Sequence, residues 1–188
     1  MFIDIHDLEV HPIHFKEDFR PDVIDLGPDM RQQTNLKAHG RAELIEELGT
    51  RRGETIQDIR VIAGFETQVE VSCARCLEPV KHDVKHQFDL LYRPLATVAE
   101  GSDEISITQA EADIGFYRGD GLLLEDVLRE QLLLAVPIKT VCSEDCKGLC
   151  PHCGKNLNQD GCDCHEERID PRWDALKQVR DKLQQSGS

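Results

Sequence analysis

Two runs of alternating side chains, separated by a Cys-x-x-Cys turn, constrain this chain more than any other feature. In the first, Ile59, Val61, Ala63, Phe65, Val69 and Val71 share one parity, and Arg60, Glu66, Gln68 and Glu70 share the other. In the second, Val80, His82, Val84, His86, Phe88, Leu90 and Tyr92 alternate with Lys81, Asp83, Lys85, Gln87 and Asp89. A period of two sends one set to a dry face and the other to water, the pattern of half-buried strands. Glu78-Pro79 supplies a turn before the second run, and Gly64 suggests a bulge or turn within the first. Upstream, Leu36, Ala38, Gly40, Ala42 and Leu44 keep the same rhythm, and Leu48-Gly49 through Gly53 reads as a polar hairpin loop. Sequential strands joined by short turns favour an antiparallel β-meander or small barrel, expected over residues 1–93.

The alternation is lost after Arg93, and Pro94, Gly101 and Ser102 mark residues 94–104 as a connecting loop. Residues 113–117 suggest a short strand. From Leu122 to Val136 the spacing changes to that of a helix, with Leu124, Val127, Leu128, Leu132 and Ala135 on one face, and Pro137 ends it. A core helix thus closes residues 94–137. Residues 138–188 read as a small cysteine-rich zinc module with a C-terminal helix, in which Asp170 caps, Pro171 takes the first helical position, and Trp173, Leu176 and Val179 are available for docking. The expected fold class is α+β.

No apolar run approaches the roughly 20 residues of a membrane helix, and the first residues lack the basic and apolar regions of a signal peptide. The expectation is a cytoplasmic protein without membrane association. Thiols stay reduced in that compartment, so closely spaced cysteines are better read as metal ligands or redox centres than as disulfides.

Eight cysteines are present. Cys73 and Cys76 form the Cys-x-x-Cys between the two alternating runs, while Cys142, Cys146, Cys150, Cys153, Cys162 and Cys164 crowd the later part of the chain. Zinc takes four soft ligands at tetrahedral corners, and a Cys-x-x-Cys turn offers two thiolates to one ion. Cys150-Pro151-His152-Cys153-Gly154 has this form, and Gly154 suits the positive φ of a tight knuckle. One or two structural Zn2+ ions are therefore expected. Two allocations fit the spacing. Cys73 and Cys76 could join Cys142 and Cys146 while Cys150, Cys153, Cys162 and Cys164 form a second site, which leaves no thiol pair without partners. Alternatively, Cys142, Cys146, Cys150 and Cys153 could close a local site. His152 and His165 are candidate substitute ligands, although surface histidines without a metal role are the plainer reading.

A thioredoxin-like dithiol would place Cys-x-x-Cys at a helix N-terminus, whereas Cys73 and Cys76 fall between strands. Catalytic zinc keeps an open position among mixed ligands, unlike these nearly all-cysteine sets. No phosphate-cradling loop, nucleophile elbow or His-Glu-x-x-His is present. The net charge of -14 disfavours capture of bare nucleic acid, which needs clustered Lys and Arg. Arg51-Arg52, and Arg75 with Lys81 and Lys85, are candidate local patches, with solvated strand and turn residues as the simpler explanation.

The ordered set Cys73-Ala74-Arg75-Cys76-Leu77-Glu78-Pro79, Leu132 to Pro137, Cys146-Lys147-Gly148-Leu149-Cys150-Pro151-His152-Cys153-Gly154 with Asn156-Leu157-Asn158, and Asp170-Pro171-Arg172-Trp173 resembles the YceD family of large-subunit ribosomal RNA accumulation proteins. The resemblance runs over roughly residues 30–180. It implies a bacterial, non-catalytic protein needed for accumulation of 23S ribosomal RNA, often encoded beside a large-subunit ribosomal protein. It also implies relatives that vary in their C-terminal cysteines, while the pair at Cys73 and Cys76 is more general.

The expectation from residues and resemblance together is a ribosome-biogenesis factor. Its partner is expected to be a ribosomal protein or precursor large subunit, with 23S ribosomal RNA engaged directly or indirectly, and its acidity favours a basic protein. The alternative is a redox protein or sensor using Cys73 and Cys76. A zinc-ribbon binder of nucleic acid is opposed by Glu144, Asp145, Asp160, Asp163, Glu166 and Glu167 around the cysteines.

Overall fold

A computed structural model describes residues 1–48, 55–99 and 114–164. The chain divides into a first unit spanning Met1–Cys146 and a second that begins at Lys147.

The alternating runs form the centre of the first unit. Strand β4 (Leu36–Leu48) pairs with β5 (Thr55–Ser72), which pairs with β6 (Pro79–Pro94), all antiparallel. Strand β2 (Ile13–Phe19) lies outside β4, and the short β3 (Met30–Gln32) takes up the end of β5 that β4 does not reach. Strand β7 (Ile114–Tyr117) pairs with β6 in parallel, so the sheet is mixed and runs from β2 at one edge to β7 at the other. The expected meander is present in β4–β5–β6, and among the described residues the sheet is open instead of closed into a barrel. The hairpin expected at 49–53 lies outside the described residues.

The odd-numbered residues of β5 and even-numbered residues of β6 supply the dry face. Ile59, Val61, Phe65 and Val69 are buried with Val84, Phe88 and Tyr92 from the neighbouring strand. Gly64 makes no bulge: it stays in register with His39 on one side and Gln87 on the other. A Cβ there would lie 3.2 Å from Gln87 Cγ, so the missing side chain relieves crowding without interrupting the pairing. Gly40 is required more strictly. Its Cβ would fall 2.5 Å from that of Ala63, the residue opposite it.

Helix α3 (Leu124–Ala135) buries Leu124, Val127, Leu128 and Leu132 in the same core. The helix begins two residues later than its apolar spacing suggests, because Gly121–Leu123 forms β8, antiparallel to β1 (Phe2–Asp4). A Cβ on Gly121 would sit 2.0 Å from the Ile3 carbonyl oxygen, so only glycine permits that pairing. Glu125 and Asp126 complement the positive end of the helix. Val136 is extended, as the residue before Pro137 must be, and α3 ends there. Among the described residues the remaining helices are single turns, α1 (Ile5–Leu8) and α2 (Ala96–Ala99), the latter within the stretch expected as loop. The C-terminal helix expected from Asp170 lies outside the described residues. Among the described residues, no helix is long and apolar enough to cross a membrane.

Candidate metal centres

The turn between β5 and β6 is a thiol-bearing knuckle. Cys73 N donates to the Glu78 carbonyl at 2.8 Å, and Leu77 N donates to the Cys73 carbonyl at 3.0 Å, which folds the Cys73 and Cys76 side chains to one side. The segment after α3 returns to this turn. Ala74 N donates to the Thr140 carbonyl at 2.8 Å, and the Arg75 guanidinium donates to the carbonyls of Glu144 and Cys146, both at 2.9 Å. These bonds bring Cys142 and Cys146 opposite the knuckle. Cys73 Sγ is 3.9 Å from Cys146 Sγ, and Cys76 Sγ is 3.6 Å from Cys142 Sγ.

Those separations far exceed a disulfide bond of about 2.05 Å. They bracket the roughly 3.8 Å between sulfurs at the corners of a tetrahedron with zinc–sulfur bonds of about 2.3 Å. All four sulfurs lie within 4.8 Å of one another, and Cys73, Cys76 and Cys146 are buried. Backbone N–H groups of Arg75 and Cys142 point at Cys73 Sγ, each at 3.4 Å, as suits a site that must hold thiolates.

The second unit repeats the device. Cys150 N donates to the Lys155 carbonyl at 2.8 Å, and Gly154 N donates to the Cys150 carbonyl at 2.9 Å. Gly154 has φ +73°, the conformation expected of it. Leu149 bridges Asn156, and Lys147 N donates to the Asn158 side chain at 2.8 Å, which fastens the segment around the turn. Cys150, Cys153, Cys162 and Cys164 again lie with sulfurs within 4.8 Å of one another. The structure therefore brings the eight cysteines together in the arrangement that pairs Cys73 and Cys76 with Cys142 and Cys146, not the one that joins Cys142 and Cys146 to Cys150 and Cys153. His152 is exposed and belongs to neither tetrad, and His165 lies outside the described residues.

The thiols within each tetrad differ in acidity. The Cys76 backbone N–H leads in lowering Cys73 to about 6, helped by the N–H groups of Arg75 and Cys142 against the effect of burial. Cys142 is pushed up to about 12, first by the Cys146 thiol and then by that of Cys76. Cys76 is also raised: the Glu78 N–H pulls it down, but burial and Cys73 outweigh that pull. In the second tetrad the N–H groups of Cys153 and His152 bring Cys150 down to about 6, while the Cys153 thiol leads in pushing Cys164 up to about 12. One thiolate suppresses its neighbours in each cluster. Four together require a cation at the centre.

Sequence alone reads Arg75 as a solvated turn residue, with a local surface patch as the alternative. Its guanidinium instead spans the two halves of the first tetrad, and the one hint of this is its place inside the Cys-x-x-Cys. Leu77 carries no signal of its own in the sequence, although it occupies the position that Gly154 fills in the second knuckle. Arg51-Arg52 lies outside the described residues. Lys81 and Lys85 are exposed on the wet face of β6.

The family described as Large ribosomal RNA subunit accumulation protein YceD matches residues 63–180, a stretch that includes both knuckles and all eight cysteines. The chain belongs to the YceD family. An uncharacterized protein of Mycobacterium tuberculosis is 36% identical over 107 residues, covering 57% of this chain and 48% of its own length. An uncharacterized protein of Mycobacterium leprae is 29% identical over 126 residues, covering 66% of this chain and 55% of its own. The chloroplastic YCED homolog 1 of Arabidopsis thaliana, named as a large ribosomal RNA subunit accumulation protein, is 38% identical over 58 residues, covering 31% and 18% of the two chains. The chain thus spans about half the length of the mycobacterial relatives it matches. No solved structure matches it. The family takes its description from large ribosomal RNA subunit accumulation.

Proposed function

We propose that this YceD protein is a non-catalytic ribosome-biogenesis factor required for accumulation of 23S ribosomal RNA, with one structural zinc ion in each cysteine tetrad. The family match across most of the chain carries the biological part of this reading. The donor chemistry supports the metal: each site offers four thiols at tetrahedral spacing and, among the described residues, no fifth ligand, which suits a closed structural ion. Zinc in the first tetrad would fasten the β5–β6 turn to the segment after α3, and zinc in the second would hold the short loops of its own unit.

The net charge of -14 favours a basic ribosomal protein as the direct contact, in the cytoplasm, with the ribosomal RNA effect following from it. A redox role for Cys73 and Cys76 finds less support. Their knuckle joins two strands and has two further thiols facing it, a four-sulfur set that suits a metal better than a two-thiol redox centre.

Depletion of the protein tests the proposal directly. The ratio of 23S to 16S ribosomal RNA should fall, and the purified protein should carry two zinc ions with no rapidly reacting thiol. An unchanged ratio would overturn the biological assignment, and metal-free protein with a reactive thiol pair would favour the redox one.

A further inference from the structure

The two knuckles share one backbone design and differ at one telling position. In both, the N–H of the first cysteine donates to the carbonyl five residues on, and the N–H four residues on returns to the first cysteine's carbonyl. The residue making that return bond is left-handed in each, Gly154 at φ +73° and Leu77 at φ +63°. Glycine adopts this conformation freely, whereas a leucine is strained there. Leu77 is also 64% exposed, so its side chain gains little from burial. Strain and exposure in one apolar residue call for a compensating contact.

Leu77 lies on a groove of about 470 Å³ in the first unit, whose walls include Leu26, Met30, Leu133 and Ile138. Leu133 and Ile138 are exposed too, the latter completely. Asp29 is the one charged residue among those lining the groove. An apolar surface of this kind marks a binding face. A second copy of a chain with charge -14 would be repelled, and the phosphates of RNA would find no Lys or Arg in the lining.

We infer that this groove receives an apolar anchor from a basic protein segment, with Leu77 held in its strained conformation to meet that anchor. The inference rests on the ribosome-biogenesis reading and names the surface through which its protein partner docks.

The test uses full-length zinc-loaded protein and a panel of individually purified large-subunit ribosomal proteins. Leu77→Gly should keep its zinc and its thermal stability, since glycine accepts the left-handed backbone, and Ile138→Ser should do likewise because that side chain is wholly exposed. Each should weaken binding to the captured ribosomal protein by about tenfold or more, as loss of a central apolar anchor does. Val10→Ser, another exposed apolar position outside the groove, should bind normally. Equal binding by the groove variants would overturn the inference, as would variants that dissociate a dimer of this chain or weaken binding to naked 23S fragments instead. Depletion read in parallel keeps the two claims apart: a fall in 23S ribosomal RNA fully rescued by Leu77→Gly with unaltered binding removes the groove and leaves the biogenesis role standing.

Discussion

Cys73 and Cys146 stand 73 residues apart in sequence, yet their sulfurs are 3.9 Å apart, at the spacing of two ligands on one ion. The second tetrad uses residues from Cys150 onward and shares no ligand with the first. Zinc content should therefore fall in single steps: from two ions to one with Cys146→Ser, from two to one with Cys164→Ser, and to none with both. Elemental analysis of the purified variants reads this directly. Loss of both ions from either single variant would show that the sites are not independent.

Zinc binds thiolate, and Cys142 and Cys76 are held above their ordinary range before metal arrives. Metal uptake at pH 7 should release protons, and zinc should be retained less tightly as pH falls, since protons then compete for the sulfurs. A chelator titration at several pH values in weak buffer measures both effects. Affinity independent of pH would count against thiolate ligation.

Asp58 is fully buried and receives the Arg93 guanidinium on both carboxylate oxygens, with the Arg93 Nη2 to Asp58 Oδ2 contact at 2.6 Å and a further bond to Glu47 at 2.8 Å. Removing one member leaves a buried charge without its partner. Arg93→Met should destabilise the first unit by about 3 kcal/mol, and Asp58→Leu added to it should recover much of that loss. Urea unfolding of the single and double variants measures the difference. The Arg60–Asp89 pair gives the contrast. Arg60 holds Asp89 below the usual carboxylate range on an exposed face, so its small contribution is present at neutral pH and disappears as acid protonates Asp89. Arg60→Ala should differ slightly from wild type at pH 7 and not at all in strong acid.

A Cβ on Gly40 would fall 2.5 Å from both the Ala63 Cβ and the Ile62 carbonyl oxygen, so side chain and backbone alike exclude it. Gly40→Ala should lower stability by roughly 1–3 kcal/mol through overpacking. Ala63→Gly in the same chain should return little of it, because the Ile62 carbonyl oxygen stays in place, and a double-mutant cycle by thermal unfolding measures the coupling.

The second knuckle permits a purely conformational test. Nothing lies within 4 Å of a Cβ built on Gly154, so Gly154→Ala meets no clash, and its φ of +73° alone should cost about 1 kcal/mol. Protease resistance of the tail with zinc bound, compared at graded chelator concentrations, reports that loss.

The strands around Phe65 and Phe88 are legible in the sequence because apolar side chains fall there on every second residue. Asp58 is not, since an aspartate beside such a run reads as wet, and the Arg93 guanidinium on the next strand makes its burial tolerable. Leu122 reads as helical because a continuous apolar run does not distinguish helix from strand; pairing with Ile3, which the bare backbone of Gly121 permits, decides it. The parallel partnership of β7 with β6 depends on contacts remote in sequence, which no local pattern encodes. Sequence leaves the cysteine allocation undecided for the same reason. Both allocations fit the spacing, and only hydrogen bonds such as those of Ala74 and Arg75, which carry Cys142 and Cys146 back to a distant turn, distinguish them.

That distance gives the two tetrads different places in the life of the chain. The second spans only Cys150 to Cys164, and an ion there would close a short loop, at a small entropic penalty, as soon as those residues exist. The first waits for Cys146 to emerge, by which time every strand of the sheet has left the ribosome. Closed on an ion, it would be the last covalent-like tie in the making of the first unit, and a chain stopped short of Cys146 during its own translation would have a sheet and a helix but no fourth thiol to lock them.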